Sequence, residues 1–211
     1  DWSSDVCSSD LAVQVTKFSK PKEKIIVIGA GAAAYKFVTT HRQYNLTDEL
    51  HVFSKEPFAF YNRVMLPDYI SGAMRWEKLL KMQDDERALV HLYEGVSIEH
   101  IDREKKTVRD SRGNTYTYDK LVIATGSRAA LPRDYDISLD GVFTMRTRQD
   151  ADRLKSYLAP NSHVVVVGGG LLGLELAASL RHIGMKATVV HRGSRLMNRQ
   201  LDATSSSLLH E

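Results

Sequence analysis

Residues 24–34 read KIIVIGAGAAA, and this stretch decides the fold. Ile25 to Ile28 form a short, wholly apolar run, which is typical of a strand buried on both faces of a parallel sheet. The run leads into Gly29-x-Gly31-x-x-Ala34, and a helix is predicted from Tyr35 to about Gln43. In such a turn the first glycine bends the chain and the second lets the backbone approach a pyrophosphate, while a small third residue lets helix and strand pack closely. A single match is weak, but its place between a buried strand and a helix favours nucleotide binding over a purely structural glycine turn.

The same unit returns later in the chain. Val164 to Val167 read as a second buried strand, and they lead into Gly168-x-Gly170-x-x-Gly173. A helix is predicted from Leu174 to His182 and a strand from Ala187 to Val190. This match is stricter, because all three glycines are present. An internal repeat of strand, glycine-rich turn, helix and strand predicts two nucleotide-binding halves.

The residues between the repeats predict further elements of the first half. Ser97 to Tyr118 read as antiparallel hairpins with a turn at Arg112-Gly113-Asn114. Residues 54–69 hold two prolines and several aromatics, which indicates an ordered loop with a functional role. The other predicted elements are strands at 50–53 and 89–92, a buried strand at 121–124, a helical turn at 76–80 and a helix at 150–158. The predicted fold is α/β, with two Rossmann-type units of which the first is interrupted by an antiparallel β-meander.

The boundaries follow from these patterns. Residues 1–20 are expected to be a disordered or non-native leader, because DWSSDVCSSDL at 1–11 repeats Ser-Ser-Asp without helical or strand periodicity. The first nucleotide-binding unit is predicted at 21–130 and the second at 131–211. The second unit has too few strands for a complete sheet, so we expect it to be truncated and the chain to be a fragment.

Composition restricts the classes of function. With 43% hydrophobic and 26% charged residues among 211, the chain resembles a soluble globular protein. No apolar run approaches the roughly 18 residues of a membrane span, and a net charge of +3 on scattered residues argues against nucleic acid. Cys7 is the single cysteine and the eight histidines lack metal-ligand spacing, so no metal site is expected. A cytoplasmic location fits best.

Three motifs in order carry a family resemblance: the first glycine turn, YDKLVIATGS at 118–127, and the second glycine turn followed by Glu175. Together they resemble the FAD-dependent pyridine nucleotide-disulfide oxidoreductases. The resemblance implies FAD on the first unit and NAD(P)H on the second. It places the FAD pyrophosphate at Gly29, Gly31, Ala33 and Ala34, and the flavin near Thr125 and Gly126. Val96 would contact adenine through its backbone, although an apolar residue there is equally typical of core.

On the second unit the resemblance implies cofactor contacts from Gly168, Gly170, Leu171, Leu172 and Gly173. Glu175 would lie beside the nicotinamide as the candidate catalytic residue, or be a plain helix-surface glutamate.

Two segments, AFYNRVML at 59–66 and RLMNRQLD at 195–202, are similar to the large subunit of assimilatory NAD(P)H nitrite reductase. In these relatives Arg63 would pair with the FAD diphosphate, and Asn62 beside it is a candidate cofactor contact; a surface arginine is the alternative. Ser54 stands where an acidic ribose ligand is expected, so Glu56 is the nearest candidate, with plain surface charge as the alternative.

His191-Arg192 replace the carboxylate typical of NADH enzymes. They favour NADPH slightly, unless both are simply exposed charges.

The predicted function is a flavin-dependent module that passes hydride from NAD(P)H to FAD. Electrons would then go to the sirohaem and 4Fe-4S part of a nitrite reductase, which this chain cannot ligate with Cys7 alone. One alternative is a free-standing NAD(P)H reductase of a ferredoxin or rubredoxin, although Asp68 stands where such reductases tend to have a lysine. Another is a non-catalytic nucleotide-binding fragment. Disulfide reduction is excluded, because no cysteine pair follows the first helix and no cysteine follows Tyr61.

Overall fold

A computed structural model of the chain describes residues 21–82, 84–131 and 136–210. The predicted leader at 1–20, with Cys7, lies outside the described residues. Within these ranges the strands are β1 (Lys24–Ile28), β2 (Glu49–Ser54), β3 (His91–Glu94), β4 (Ile98–Asp102), β5 (Thr107–Asp110), β6 (Thr115–Thr117), β7 (Lys120–Ile123), β8 (His163–Val167) and β9 (Lys186–Val190). The α-helices are α1 (Ala32–Tyr44), α2 (Leu66–Ser71), α3 (Asp84–Arg87), α4 (Arg148–Tyr157), α5 (Leu171–His182) and α6 (Ala203–His210).

The first unit is built on a four-stranded sheet in the order β3-β2-β1-β7. All three strand pairings are parallel, and Ile28 of β1 is in register with Phe53 of β2 and Ile123 of β7. Helix α1 covers one face of this sheet through the buried residues Ala34 and Val38. This confirms the predicted strand–turn–helix–strand unit, with β1 buried as expected.

The opposite face of the sheet is covered by the predicted meander. Strands β4, β5 and β6 pair antiparallel in sequence order. Val108 of β5 and Val96 pack with Ile26, Ile28 and Phe53 in one buried cluster. Strands β4 to β6 therefore form an antiparallel sheet of their own, between β3 and β7 in the sequence.

The second unit contains the parallel pair β8-β9 and helix α5, as the repeat predicts. The prediction that 164–167 and 121–124 are fully buried strands is wrong. Val165 and Val167 are each 56% exposed, and Ile123 is 64% exposed. The reason is that α5 packs on one face of β8 only, through residues such as Leu176 and Ala177. Among the described residues, no helix or strand covers the face that carries Val165 and Val167.

Three local predictions need correction. Residues 54–69 are not all loop, because a 3₁₀ turn at Arg63–Met65 is followed by α2. Pro67 lies in the first turn of α2, where a missing N–H and a fixed φ are tolerated. Helices α1 and α5 each begin three residues earlier than predicted, at Ala32 and Leu171. The glycine before each of these is the helix N-cap, so the turn and the helix adjoin directly.

The segment from residue 58 to residue 80 joins the two units. Its buried residues Tyr61, Leu66, Ile70 and Leu79 belong to one cluster with residues of α4 and α5. Helix α2 therefore packs on the second unit, although it lies within the sequence of the first. None of the helices in the described ranges is long and apolar enough to cross a membrane.

His51 is a polar residue within this apolar framework. It lies in β2, is nearly buried, and bonds the hydroxyl of Tyr93 through Nδ1 at 3.1 Å. Its ring stacks on His91 with the ring centroids 4.5 Å apart. Burial lowers the pKa of His51, and the neighbouring carboxylate of Glu49 acts in the opposite direction. The neutral imidazole is therefore the form that the folded state prefers.

Candidate functional site

The carboxyl edge of the first sheet brings most of the predicted flavin-site residues together. The glycine turn at 29–31 follows β1, residues 54–56 end β2, Val96 follows β3, and residues 125–126 follow β7. Because the four strands are parallel, their carboxyl ends lie at one edge. Ligands of open α/β sheets bind in the crevice outside that edge.

The first two glycines of the first turn have different roles. Gly29 has φ +107°, and a Cβ there would overlap the carbonyl oxygen of Ala124, so the close approach of β7 requires glycine. Gly31 has an extended backbone with φ −89°, and none of the described residues lies within 4 Å of the position that a Cβ would take. Gly31 therefore lines open space at the start of α1.

The second turn shows the complementary pattern. A Cβ at Gly173 would overlap the carbonyl oxygen of Gly168, so the third glycine allows α5 to pack on the turn. Gly170 lines open space, as Gly31 does. Leu171 and Leu172 begin α5 with exposed side chains.

The helices after both turns start without side-chain caps. Neither α1 nor α5 has a side-chain cap or an acidic residue in its first turn. Helix α4, by contrast, begins with a capping box, in which Thr147 accepts from the Asp150 N–H at 3.1 Å and donates its own N–H to Asp150 at 2.9 Å. First-turn N–H groups of an uncapped helix are suited to an anion, and the macrodipole adds to the attraction. The starts of α1 and α5 thus each combine a helix without a side-chain cap with a glycine beside open space, which fits two dinucleotide pyrophosphates.

Glu56 and Arg63, both predicted as flavin-site residues, bind each other. Arg63 Nη2 lies 2.6 Å from Glu56 Oε1. The Tyr61 hydroxyl donates to Glu56 Oε2 at 2.6 Å and accepts from Arg63 Nη1 at 2.7 Å. Burial, aided by the bond to Glu56, raises the pKa of Tyr61 far above its ordinary value, so the phenol is a neutral donor. The carboxylate and the guanidinium are therefore fixed side by side near the sheet edge.

Other predicted residues of this site are placed as follows. Val96 is buried, and its N–H donates to the Ser54 carbonyl at 2.8 Å, so this donor is already engaged. Asn62 caps the 3₁₀ turn by accepting from the Val64 N–H at 3.3 Å. Ala34 is buried against the sheet, whereas Ala33, Thr125 and Gly126 are exposed.

His191 faces the second glycine turn, not solvent. It follows β9 directly, and its Nδ1 accepts from the Gly169 N–H at 3.1 Å. Arg192 and Arg195 beside it are exposed. A cleft of about 290 Å³ lies at this strand end, and its lining includes His191, Ser194 and Arg195. Positive charge is therefore available here, but from the two arginines more directly than from His191.

Glu175, the candidate residue beside the nicotinamide, lies on α5 and is partly buried. Its Oε2 is buried and has no hydrogen-bond partner among the described residues. Buried carboxylate oxygens are normally bonded. An unsatisfied oxygen is therefore consistent with a contact to a bound molecule. Within the described residues, no group of three or more metal-ligating side chains is present.

Sequence reasoning missed the central residue of this region, Tyr61. The motif that contains it was recognised, but its hydroxyl received no role. Phe60, which precedes it, has φ +52° and donates its N–H to the Ala30 carbonyl at 2.9 Å. A non-glycine residue with positive φ is uncommon. Here it lets Phe60 bond the backbone of the first glycine turn, and so it fixes where Tyr61, the next residue, begins. The only signal in the sequence was the density of aromatic residues between 58 and 76.

Comparisons with known proteins match most of this chain to one family. The family model for pyridine nucleotide-disulphide oxidoreductases matches residues 23–211. The chain is 35% identical over 198 residues to the nitrite reductase [NAD(P)H] large subunit of Klebsiella oxytoca, covering 90% of this chain and 20% of that protein. It is also 35% identical over 181 residues to a probable ferredoxin reductase of Castellaniella defragrans, covering 83% of this chain and 44% of the relative.

Among solved structures, the covalent putidaredoxin reductase–putidaredoxin complex superposes with a TM-score of 0.83 at 25% identity, covering 89% of this chain and 46% of the matched one. The predicted α/β fold is confirmed by this likeness. The chain spans about a fifth of the nitrite reductase subunit and under half of the ferredoxin reductase.

Proposed function

The chain belongs to the pyridine nucleotide-disulphide oxidoreductase family, and from that membership we propose that it binds FAD on residues 21–130 and NAD(P)H on residues 131–211. The observation that carries the proposal is the repeated pair of open glycine and uncapped helix, at Gly31 with α1 and at Gly170 with α5. A purely structural turn needs neither open space at its second glycine nor a helix start that lacks a side-chain cap.

When both cofactors are bound, NAD(P)H supplies a hydride to FAD, which can release the electrons one at a time. The chain contributes binding and orientation. The first-turn N–H groups of α1 and α5 hold the two pyrophosphates. The Glu56–Arg63 pair offers an acceptor for ribose hydroxyls and a planar donor for phosphate oxygens. Glu175 Oε2, unsatisfied among the described residues, orients the nicotinamide side of the site.

For the electron acceptor, the proposal is the sirohaem and iron–sulfur part of a nitrite reductase. It is supported by the 35% identity to the nitrite reductase subunit over 90% of this chain. A second candidate is a small iron–sulfur protein, supported by equal identity to the probable ferredoxin reductase and by likeness to the reductase in the putidaredoxin complex. Both candidates take single electrons, and both centres would lie outside this chain.

The test uses the full-length natural protein, purified and examined for bound flavin. We expect a yellow protein whose NAD(P)H oxidation is coupled to nitrite consumption. Coupling to an added ferredoxin or rubredoxin, with no nitrite consumption, would select the second acceptor. A folded protein that carries no flavin and binds none would refute the proposal and favour a non-catalytic nucleotide-binding module.

The choice between NADH and NADPH rests on the end of β9. No carboxylate stands there, and the exposed Arg192 and Arg195 can reach a 2′-phosphate. His191 is turned onto the glycine turn, so the proposed preference for NADPH depends on the arginines.

A further inference from the structure

The guanidinium of Arg148 is enclosed by aromatic rings from another part of the chain. Its central carbon lies 4.1 Å from the ring centroid of Trp76, 4.8 Å from that of Tyr69 and 5.0 Å from that of Phe58. We call these three rings the aromatic box. The Arg148 side chain is only 16% exposed. A partly desolvated cation over several rings is held more firmly than one on the surface.

The contact is also fixed by hydrogen bonds. Arg148 Nε donates to both carboxylate oxygens of Asp152, at 2.7 and 2.9 Å. The Tyr69 hydroxyl donates to Asp152 Oδ1 at 2.7 Å. The box lies in the segment from residue 58 to residue 80, whereas Arg148 and Asp152 lie on α4, at the start of the second unit. Arg148 therefore joins the two units.

Tyr61 connects this joint to the proposed flavin site. Its hydroxyl accepts from the Arg148 backbone N–H at 3.0 Å, in addition to its bonds to Glu56 and Arg63. A hydroxyl has one donor and two acceptor positions, and here all three are in use. Any movement of Arg63 away from Tyr61 must change the bonding of the hydroxyl that holds the first amide of α4.

We propose that Tyr61 and Arg148 are positioning residues that hold the second unit against the first, and that Tyr61 couples this joint to occupancy of the flavin site. The inference rests on the proposed function, in which Arg63 meets the FAD diphosphate. When Arg63 turns to phosphate, the Tyr61 hydroxyl loses one of its two donors, so it accepts from the Arg148 amide alone while it still donates to Glu56. Cofactor binding then tightens the start of α4, and by thermodynamic reciprocity a firmly held α4 tightens cofactor binding.

The first test measures amide hydrogen exchange in α4 of the full-length natural protein, stripped of flavin and then titrated with FAD. We expect FAD to slow exchange of the first-turn amides of α4 by about fivefold, the lower end of typical coupling between sites. In Tyr61→Phe the protein should still bind FAD, but this FAD-dependent slowing should be lost. Tyr69→Phe is the matched control, because it removes a phenolic hydroxyl from the same joint without touching Glu56 or Arg63. It should keep the FAD dependence.

The reverse direction gives a second test that does not depend on the folding of Tyr61→Phe. Arg148→Lys keeps the charge but loses the planar guanidinium, so α4 should loosen and FAD affinity should fall by about the same fivefold. FAD binding to the natural protein with no change in α4 exchange would overturn this inference and leave the proposed function intact. So would unchanged FAD affinity in Arg148→Lys. Failure of the natural protein to bind FAD at all would overturn both.

Discussion

Gly29→Ala and Gly31→Ala should have different consequences, although the two glycines are only two residues apart. Gly29 has φ +107°, and its Cβ would overlap the Ala124 carbonyl oxygen. Gly31 has φ −89° and open space around its Cβ position. Gly29→Ala is therefore expected to damage the fold, whereas Gly31→Ala is expected to damage only the binding of a pyrophosphate.

The magnitude for Gly29→Ala follows from two terms. A positive φ costs a side chain about 1–2 kcal/mol, and forcing an extra carbon against packed atoms costs about 1–3 kcal/mol. We expect a loss of about 3 kcal/mol in the free energy of unfolding, or about 13 °C in Tm for a unit of about 110 residues. Gly31→Ala has neither term, so its effect should stay within about 0.5 kcal/mol.

The assay is thermal denaturation of the flavin-free full-length protein, followed by FAD titration of each folded variant. Gly31→Ala should melt with the natural protein but bind FAD more weakly, and Gly31→Val, which fills more of the space, should be folded and colourless. Equal melting temperatures for the two alanine variants would refute the packing argument. Undiminished flavin in a folded Gly31→Val protein would refute the binding argument.

Three further predictions concern the second glycine turn, Arg192 and His51. In the second turn, Gly173→Ala should lower Tm because its Cβ overlaps the Gly168 carbonyl, whereas Gly170→Ala should leave Tm unchanged and weaken NAD(P)H binding; calorimetry and nucleotide titration check both, and equal Tm values would contradict the reading. Arg192→Glu should shift preference from NADPH towards NADH by about tenfold, since a charge-assisted contact contributes roughly 1.5–3 kcal/mol; equal changes in kcat/KM for both cofactors would show that Arg192 is surface charge. Because burial lowers the pKa of His51, the folded state binds fewer protons than the unfolded state, so stability should be full above about pH 6.5 and fall as the pH drops below it; a His51→Asn variant with the same pH dependence of Tm would contradict this.

Local pattern was sufficient for the repeated unit. The apolar runs that predict β1 and β8, and the strands predicted after the two glycine turns, depend on short stretches of sequence, and the parallel pairings of β1 with β2 and of β8 with β9 confirm them. The prediction that Val165 and Ile123 are buried was wrong, because burial does not depend on local pattern alone. An apolar side chain favours a buried position, but whether a helix or strand covers it depends on packing between distant segments.

The contacts around Tyr61 could not be predicted from the sequence for the same reason. Its hydroxyl meets the Arg148 amide across 87 residues, and Arg148 meets Trp76 across a similar distance along the chain. The family resemblance predicted Glu56 and Arg63 as site residues individually. It gave no sign that they would bind each other, because side-chain pairing depends on the course of the chain through Phe60.

We propose that one chain brings NAD(P)H and FAD together for hydride transfer. The most direct test is anaerobic rapid mixing of the flavin-loaded full-length protein with one equivalent of NADPH or NADH, with the visible absorbance of the flavin as the readout. We expect loss of the oxidised flavin band with either cofactor, faster with NADPH, and a much slower loss in Gly170→Val. Bound flavin that stays oxidised with both nicotinamides would contradict it.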